Sequence, residues 1–306
     1  MSETMFRRGL LAPALLLGAV ASASAQETTT TTQGFATADA AMDALVAALK
    51  GKDNKALASI LGPWWRDFIP TSDRNFERSK ATFLAAWDVN HKVRVEGDKA
   101  IVEVGTSGWT WPVPLKKDGL EWRFDAKAGA HEMVDREIGR NELGAIQTLL
   151  AIGDAQRDYA ELNPMKASAP AYARRLLSSP GLMDGLYWPP AAGRPESPLG
   201  AQLANSQSDG TAPGGHYGYN YRLLYAQGAA AAGGARDYIV GGRMIGGFAA
   251  IAWPAIYGVT GIMTFMVGPD DVVWQQDLGP DTAQRAASMT VFNPDQTWQK
   301  ADMTPP

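Results

Sequence analysis

The sequence predicts an α+β fold in two successive units. Two blocks, 42–87 and 143–159, repeat apolar residues every three or four positions, and each is followed by short segments with strand-like patterning. A charge-rich stretch, 136–142, separates the halves. The chain has 306 residues, 45% of them hydrophobic, enough for two cores of ordinary size.

The elements follow in order. Arg7 and Arg8, the apolar run 9–20 and Ala23-Ser24-Ala25 form the three-part pattern of a signal peptide over 1–25, with cleavage after Ala25. The run is short for a membrane span and carries Pro13, so no stable membrane insertion is expected after cleavage, and the product is expected to be periplasmic or secreted. Residues 26–34 read as a flexible Thr-rich tether.

The N-terminal unit is expected over 35–127. Thr37 caps a first helix with Asp39 in its first turn; Met42, Leu45, Val46 and Leu49 form its apolar face, and Gly51 ends it. Leu57, Ile60 and Leu61 mark a second helix stopped by Gly62-Pro63, and Phe76, Phe83, Leu84 and Trp87 a third. Val93 and Val95 lie on a first strand, and Ala100, Val102 and Val104 on a second. Trp109, Trp111 and Val113 lie on a third, which Pro112 and Pro114 consign to an edge. A hairpin loop at 116–119 leads into Leu120, Trp122 and Phe124. The order of helices and curved antiparallel sheet loosely resembles the nuclear-transport-factor-2-like cone, through the helix–Gly-Lys-Asp–helix opening from Leu49 to Leu61.

Residues 128–140 read as a connector and 141–300 as the C-terminal unit, with a tail at 301–306. A long helix over 141–161 carries Leu143, Ile146, Leu149, Leu150, Ile152, Ala155 and Tyr159. A short helix is expected at 172–177, then a Pro/Gly-rich loop at 184–200. Tyr217, Tyr219, Tyr221 and Leu223 alternate on one strand face. Further strands follow at 238–240, 248–253, 261–267 and 272–274, and Pro280 opens a last helix through Met289.

Composition excludes several chemistries. Lys and Arg number 28 against 32 Asp and Glu, so no basic excess points to nucleic acid. Without cysteine there are no disulfides, thiolate metal sites or thiol nucleophiles. No Gly-x-Ser-x-Gly, P-loop or Rossmann spacing occurs. His131-Glu132 lacks the second histidine of a zinc motif, because Asp135 stands there. No metal and no cofactor are expected.

The remaining catalytic candidates are Asp184 and Glu196, a carboxylate pair of the kind that hydrolyses glycosides. Arg140, Glu142, Asp154, Arg157 and Asp281 are expected to form a structural charge network. The expected binding surface comprises Asp184, Tyr187, Trp188, Glu196, Tyr217, Tyr219, Tyr221 and Arg243. Six of the ten tryptophans fall between Trp64 and Trp122, which suits either an aromatic pocket or simple core packing.

Several strings carry a family resemblance: Trp111-Pro-Val-Pro-Leu115, Trp122-Arg-Phe-Asp125, Ile138-Gly-Arg-Asn-Glu-Leu143, Asp184-Gly-Leu-Tyr-Trp-Pro189, Gly242-Arg-Met-Ile-Gly-Gly-Phe248 and Asp277-Leu-Gly-Pro-Asp-Thr282. Through them the chain closely resembles the bacterial secreted family called domain of unknown function (DUF) 2950. The C-terminal half also resembles the soluble head of type IV pilins and pseudopilins, through Asn141-Glu142, Ala155-Gln156, Tyr172-Ala173, Gly218-Tyr-Asn-Tyr221 and Gly258-Val-Thr-Gly261. The functional expectation is a non-enzymatic envelope protein that binds a protein partner or an envelope polymer. The alternatives are a carboxylate-dependent hydrolase of envelope or extracellular polysaccharide, and a carrier of a small apolar ligand in the Trp-rich N-terminal unit.

Overall fold

The computed structural model describes residues 32–201, 203 and 215–302. The signal peptide expected at 1–25, most of the tether and most of the tail lie outside them. The described chain is mixed α+β: N-terminal helices with a four-stranded antiparallel sheet, then a long helix on a five-stranded antiparallel sheet.

Helix α1 (Ala38–Gly51) starts where the Thr37 hydroxyl accepts the Ala40 amide at 3.1 Å. It closes one residue later than Gly51 suggests, because Lys52 takes the left-handed conformation and returns its amide to Ala48 and Leu49. Asp53 caps α2 (Asn54–Leu61) by accepting two amides, and Gly62 ends it with φ of 86°. A single turn, α3 (Trp65–Phe68), precedes α4 (Phe76–Val89).

Strands β1 (His91–Glu96), β2 (Lys99–Val104), β3 (Leu115–Asp118) and β4 (Glu121–Phe124) follow in sheet order. Two expectations fail here. Residues 109–113 do not form a strand: Thr110 makes one isolated bridge to Glu103, and Pro112 and Pro114 cannot donate to a ladder. Residues 116–118 are strand, with Asp118 paired to Glu121, so the turn is Gly119-Leu120 and Leu120 sits exposed at its tip. Met42, Leu45, Leu61, Trp65, Val102 and Leu115 are central to the N-terminal core.

Helix α5 (Ala126–Leu162) runs 37 residues, about 55 Å at 1.5 Å per residue. The expected connector is therefore helix, started by the Asp125 carboxylate on the Ala128 amide. Its first turns touch the N-terminal unit: Gly129 packs against Val113, and Arg136 bonds Thr110. Its later turns lay Ala145, Ile146, Leu149, Ile152 and Tyr159 on the second sheet.

That sheet orders β13-β12-β11-β10-β5, from β5 (Tyr219–Leu224), β10 (Ala249–Pro254), β11 (Met263–Val267), β12 (Val273–Asp277) and β13 (Gln299–Lys300). Two small ribbons stand apart: β6 (Ala226–Gln227) with β7 (Arg236–Asp237), and β8 (Ile239–Val240) with β9 (Arg243–Met244). Under α5 lie Tyr219, Tyr221, Ala250, Ala252 and Phe265. Leu224, Ala249, Ile251 and Met266 join the opposite core with Ala286, Phe292 and Trp298. Both faces are covered, which is why β10 is apolar along its length.

The helix expected at 172–177 is absent. Tyr172 pairs with Met244, and Leu176 and Ser178 pair with Tyr187, so the segment's amides and carbonyls are spent on extended pairing. The last helix, α6 (Thr282–Ser288), begins after Pro280, with Asp281 at its N-cap.

Candidate functional site

An aromatic cleft lies in the N-terminal unit, between α4 and the irregular segment 109–112. Because the two prolines keep that segment out of a ladder, its tryptophans turn toward α4. The Phe83 ring lies 5.3 Å from Trp111 and 6.2 Å from Trp109, and the two indoles meet edge-on at 6.5 Å. Leu49, Phe68, Pro70, Phe76 and Pro112 complete the apolar wall of a cavity of about 250 Å³, with Asp73, Asn75, Ser79 and Lys80 on its polar side.

Two features of this wall are unusual. Trp111 is only 8% exposed, yet its indole N–H is buried without a hydrogen-bond partner. Trp109 is 43% exposed and carries the Arg136 guanidinium 5.8 Å from its ring centre. Arg136 is fixed by the Thr110 carbonyl at 2.8 Å, the Thr110 hydroxyl and Glu132. Nearby, Lys80 bonds Glu77 at 2.8 Å with Lys52 beyond it. The Lys80 hydrogen bond, aided by both positive charges, holds the Glu77 carboxyl below its ordinary range.

The family described as protein of unknown function (DUF2950) matches residues 32–301. The chain belongs to this family. No curated protein and no solved structure matches it, so neither the cone nor the pilin-head likeness gains support from a known fold.

In this DUF2950 chain the expected binding surface is dispersed. Trp188 is 1% exposed, packed edge-on against Tyr159, with its indole donating to the Pro195 carbonyl. Tyr219 and Tyr221 are core residues under α5; burial pushes both hydroxyls well above their ordinary range. These three are corrected from surface to interior. Alternation along β5 shows which side chains share a face, and the covered sheet buries that face. Tyr217 lies outside the strand, exposed, with its ring against Gly144. Arg243 bonds the Ala169 carbonyl.

The two catalytic candidates line different cavities. Glu196 is exposed beside a cavity of about 550 Å³ with Tyr187 and Arg194, whereas Asp184 lines another with Arg174, Arg175 and Tyr225. Burial raises the Asp184 carboxyl, but the Ser179 amide at 2.6 Å and hydroxyl at 2.9 Å, with Arg175 at 3.8 Å, outweigh it and set it below its ordinary value.

The expected charge network separates into local pairs. Arg157 joins Asp154 at 2.8 Å and Asp271 at 3.0 Å; Arg140 pairs with Glu137. Glu142 instead accepts the Ile262 and Met263 amides, 3.0 Å each, and Asp281 makes no ion pair among the described residues. Among those residues no group of three or more His, Asp or Glu is placed to hold a metal ion, and no helix is long and apolar enough to cross a membrane.

Sequence reasoning noticed the tryptophans of the cleft but not Phe83, Phe68 or Phe76 as their partners. No local signal marks them, because Phe83 meets Trp109 and Trp111 across two intervening strands.

Proposed function

We propose that the protein is a non-enzymatic binding protein of the cell envelope that holds a small, largely apolar ligand in the aromatic cleft of its N-terminal unit. The observation that carries this reading is the cleft itself, a cavity of about 250 Å³ walled by Phe68, Phe76, Phe83, Trp109 and Trp111. The surrounding rings supply contact area, and the four polar neighbours give orientation.

Titration of tryptophan emission with naphthalene tests this. A saturable change in emission is expected, because the Trp109 and Trp111 indoles wall the cleft. Trp109→Ala, at a residue 43% exposed, should weaken binding by removing one aromatic wall. No saturable response would sink the proposal.

Export and a role toward an envelope partner or polymer are part of the same proposal, supported by the signal-peptide pattern of residues 1–25. The cavity bordered by Tyr187, Arg194 and Glu196 is the place on the C-terminal unit that supports a second, polymer-binding reading. Substituting Glu196→Ala and Tyr187→Ala should then weaken pull-down by insoluble cell-wall material; unchanged retention would dismiss it.

A further inference from the structure

We propose that a hollow on the C-terminal unit, bordered by Arg174, Arg175, Asp184, Tyr225 and Ile239, is a binding site for an acidic sugar. The hollow, of about 600 Å³, shares no wall residue with the aromatic cleft, and the proposal stands independently of it.

Paired backbone fixes the walls. Arg174 and Arg175 lie in the extended segment that Gln156 holds at Ala173 and that meets Met244 through Tyr172. The Tyr225 hydroxyl donates to the Arg174 carbonyl at 3.0 Å, and the Leu186 amide donates to the Arg175 carbonyl at 3.0 Å. The Tyr238 amide, one residue before Ile239 of β8, donates to the Tyr225 carbonyl at 2.9 Å. Both arginine side chains are exposed at this frame. Arg174 donates to the Gly242 carbonyl at 3.3 Å and Arg175 to the Ser179 hydroxyl at 3.1 Å. A guanidinium has five N–H donors, and these contacts use one apiece.

Each group of the lining recognises a different part of a sugar acid. Two guanidiniums against one carboxylate leave a net charge of +1, which selects an anion. Their planar forks match the oxygens of a carboxylate or a phosphate. Asp184 repels a bare anion but accepts hydroxyl donors. Its oxygens already take the Ser179 amide at 2.6 Å and hydroxyl at 2.9 Å, and an ionised carboxylate has lone pairs for more. Tyr225 is 41% exposed, and with Ile239 it supplies an apolar face for the C–H side of a pyranose ring. Anion, hydroxyls and C–H face occur together in a uronate or a sugar phosphate. Asp184 is the one carboxylate bordering the hollow. The second acid that glycoside hydrolysis uses is missing, so the site holds its sugar intact.

Saturation-transfer NMR on the full chain, with D-glucuronate, D-glucose 6-phosphate, D-glucose and acetate, tests this. At least one acidic sugar should bind about tenfold or more tightly than both glucose and acetate, as charge-assisted hydrogen bonds predict. The tighter of the two names the anion, carboxylate or phosphate. Arg174→Gln and Arg175→Gln should each weaken the acidic sugar about tenfold and leave Tm unchanged, since both side chains are exposed. Tyr225→Leu should weaken the acidic sugar and leave acetate unaffected. Glucose binding as tightly as either acid would overturn the anion recognition, and acetate binding as tightly would overturn the sugar. Unaltered affinity in both arginine variants would place the ligand elsewhere and overturn the site, as would the absence of saturable transfer from every probe.

Discussion

The side-chain amide of Gln156 and the backbone of Ala173 exchange two hydrogen bonds inside the C-terminal unit: Nε2 donates to the Ala173 carbonyl at 3.0 Å, and the Ala173 amide donates to Oε1 at 2.8 Å. Gln156 is fully buried. It imitates a neighbouring strand, reaching from α5 to hold the chain extended where local pattern favours a helix. Gln156→Leu keeps the volume and strands both Ala173 groups. The expected loss is about 2–6 kcal/mol, since each of the two unpaired buried groups costs about 1–3 kcal/mol. Urea denaturation measures it, and a loss below that range would mean the segment finds other partners.

Glu142 plays a comparable part for the turn after β10. Its carboxylate receives the Ile262 and Met263 amides, while Asn141 donates to the Thr260 carbonyl at 3.0 Å. Glu142→Ala is expected to cost about 2–3 kcal/mol and to accelerate hydrogen exchange at Ile262 and Met263 specifically. Arg140→Ala, which removes only a surface pair with Glu137, should change stability by less than about 0.5 kcal/mol. Equal effects of the two substitutions would restore the charge network that the structure divides.

Legibility in the sequence followed how local each cause is. Helix α1 could be read because its cap, first-turn acid and apolar stripe are contiguous: Thr37, Asp39, then Met42 to Leu49. The start of α5 could not, because residues 126–140 face largely outward and carry no sustained apolar stripe. Tyr219 and Tyr221 illustrate the limit of period-two reading, which pairs residues on a face without revealing what covers it. Tryptophan density marked the cleft's region. Its shape depends on Phe83 meeting Trp109 and Trp111 across two intervening strands, a contact that no local pattern encodes.

Two groups give acid sensitivity in separate windows. Burial lowers His216 from its ordinary 6.5, so the folded state resists its protonation. The unfolded chain then binds more protons, and the stabilisation, complete above 6.5, falls as pH drops through 6.5 toward the folded value. Asp184, also lowered, contributes above its ordinary 3.8 and loses that contribution as pH falls further through its folded value. Tm profiles should show His216→Gln flattening the upper window and Asp184→Asn the lower. A variant that flattens the other's window would reverse the assignment.

The contact of Gly144 with Tyr217 makes a prediction whose sign depends on its partner. Glycine within a helix costs about 1 kcal/mol relative to alanine, so an unopposed Gly144→Ala should stabilise α5 by about that amount. A Cβ at Gly144, however, would stand 2.6 Å from the Tyr217 ring and 3.0 Å from its Cβ. Tyr217 holds φ of 50°, a conformation that resists adjustment for a side chain of that size. Gly144→Ala alone should therefore destabilise. Tyr217→Gly removes the obstruction and suits the backbone, and in that background Gly144→Ala should stabilise. A double-mutant cycle by chemical denaturation reads the reversal directly. Additive effects would mean that the Tyr217 ring leaves α5 in solution and that the close approach does not constrain position 144.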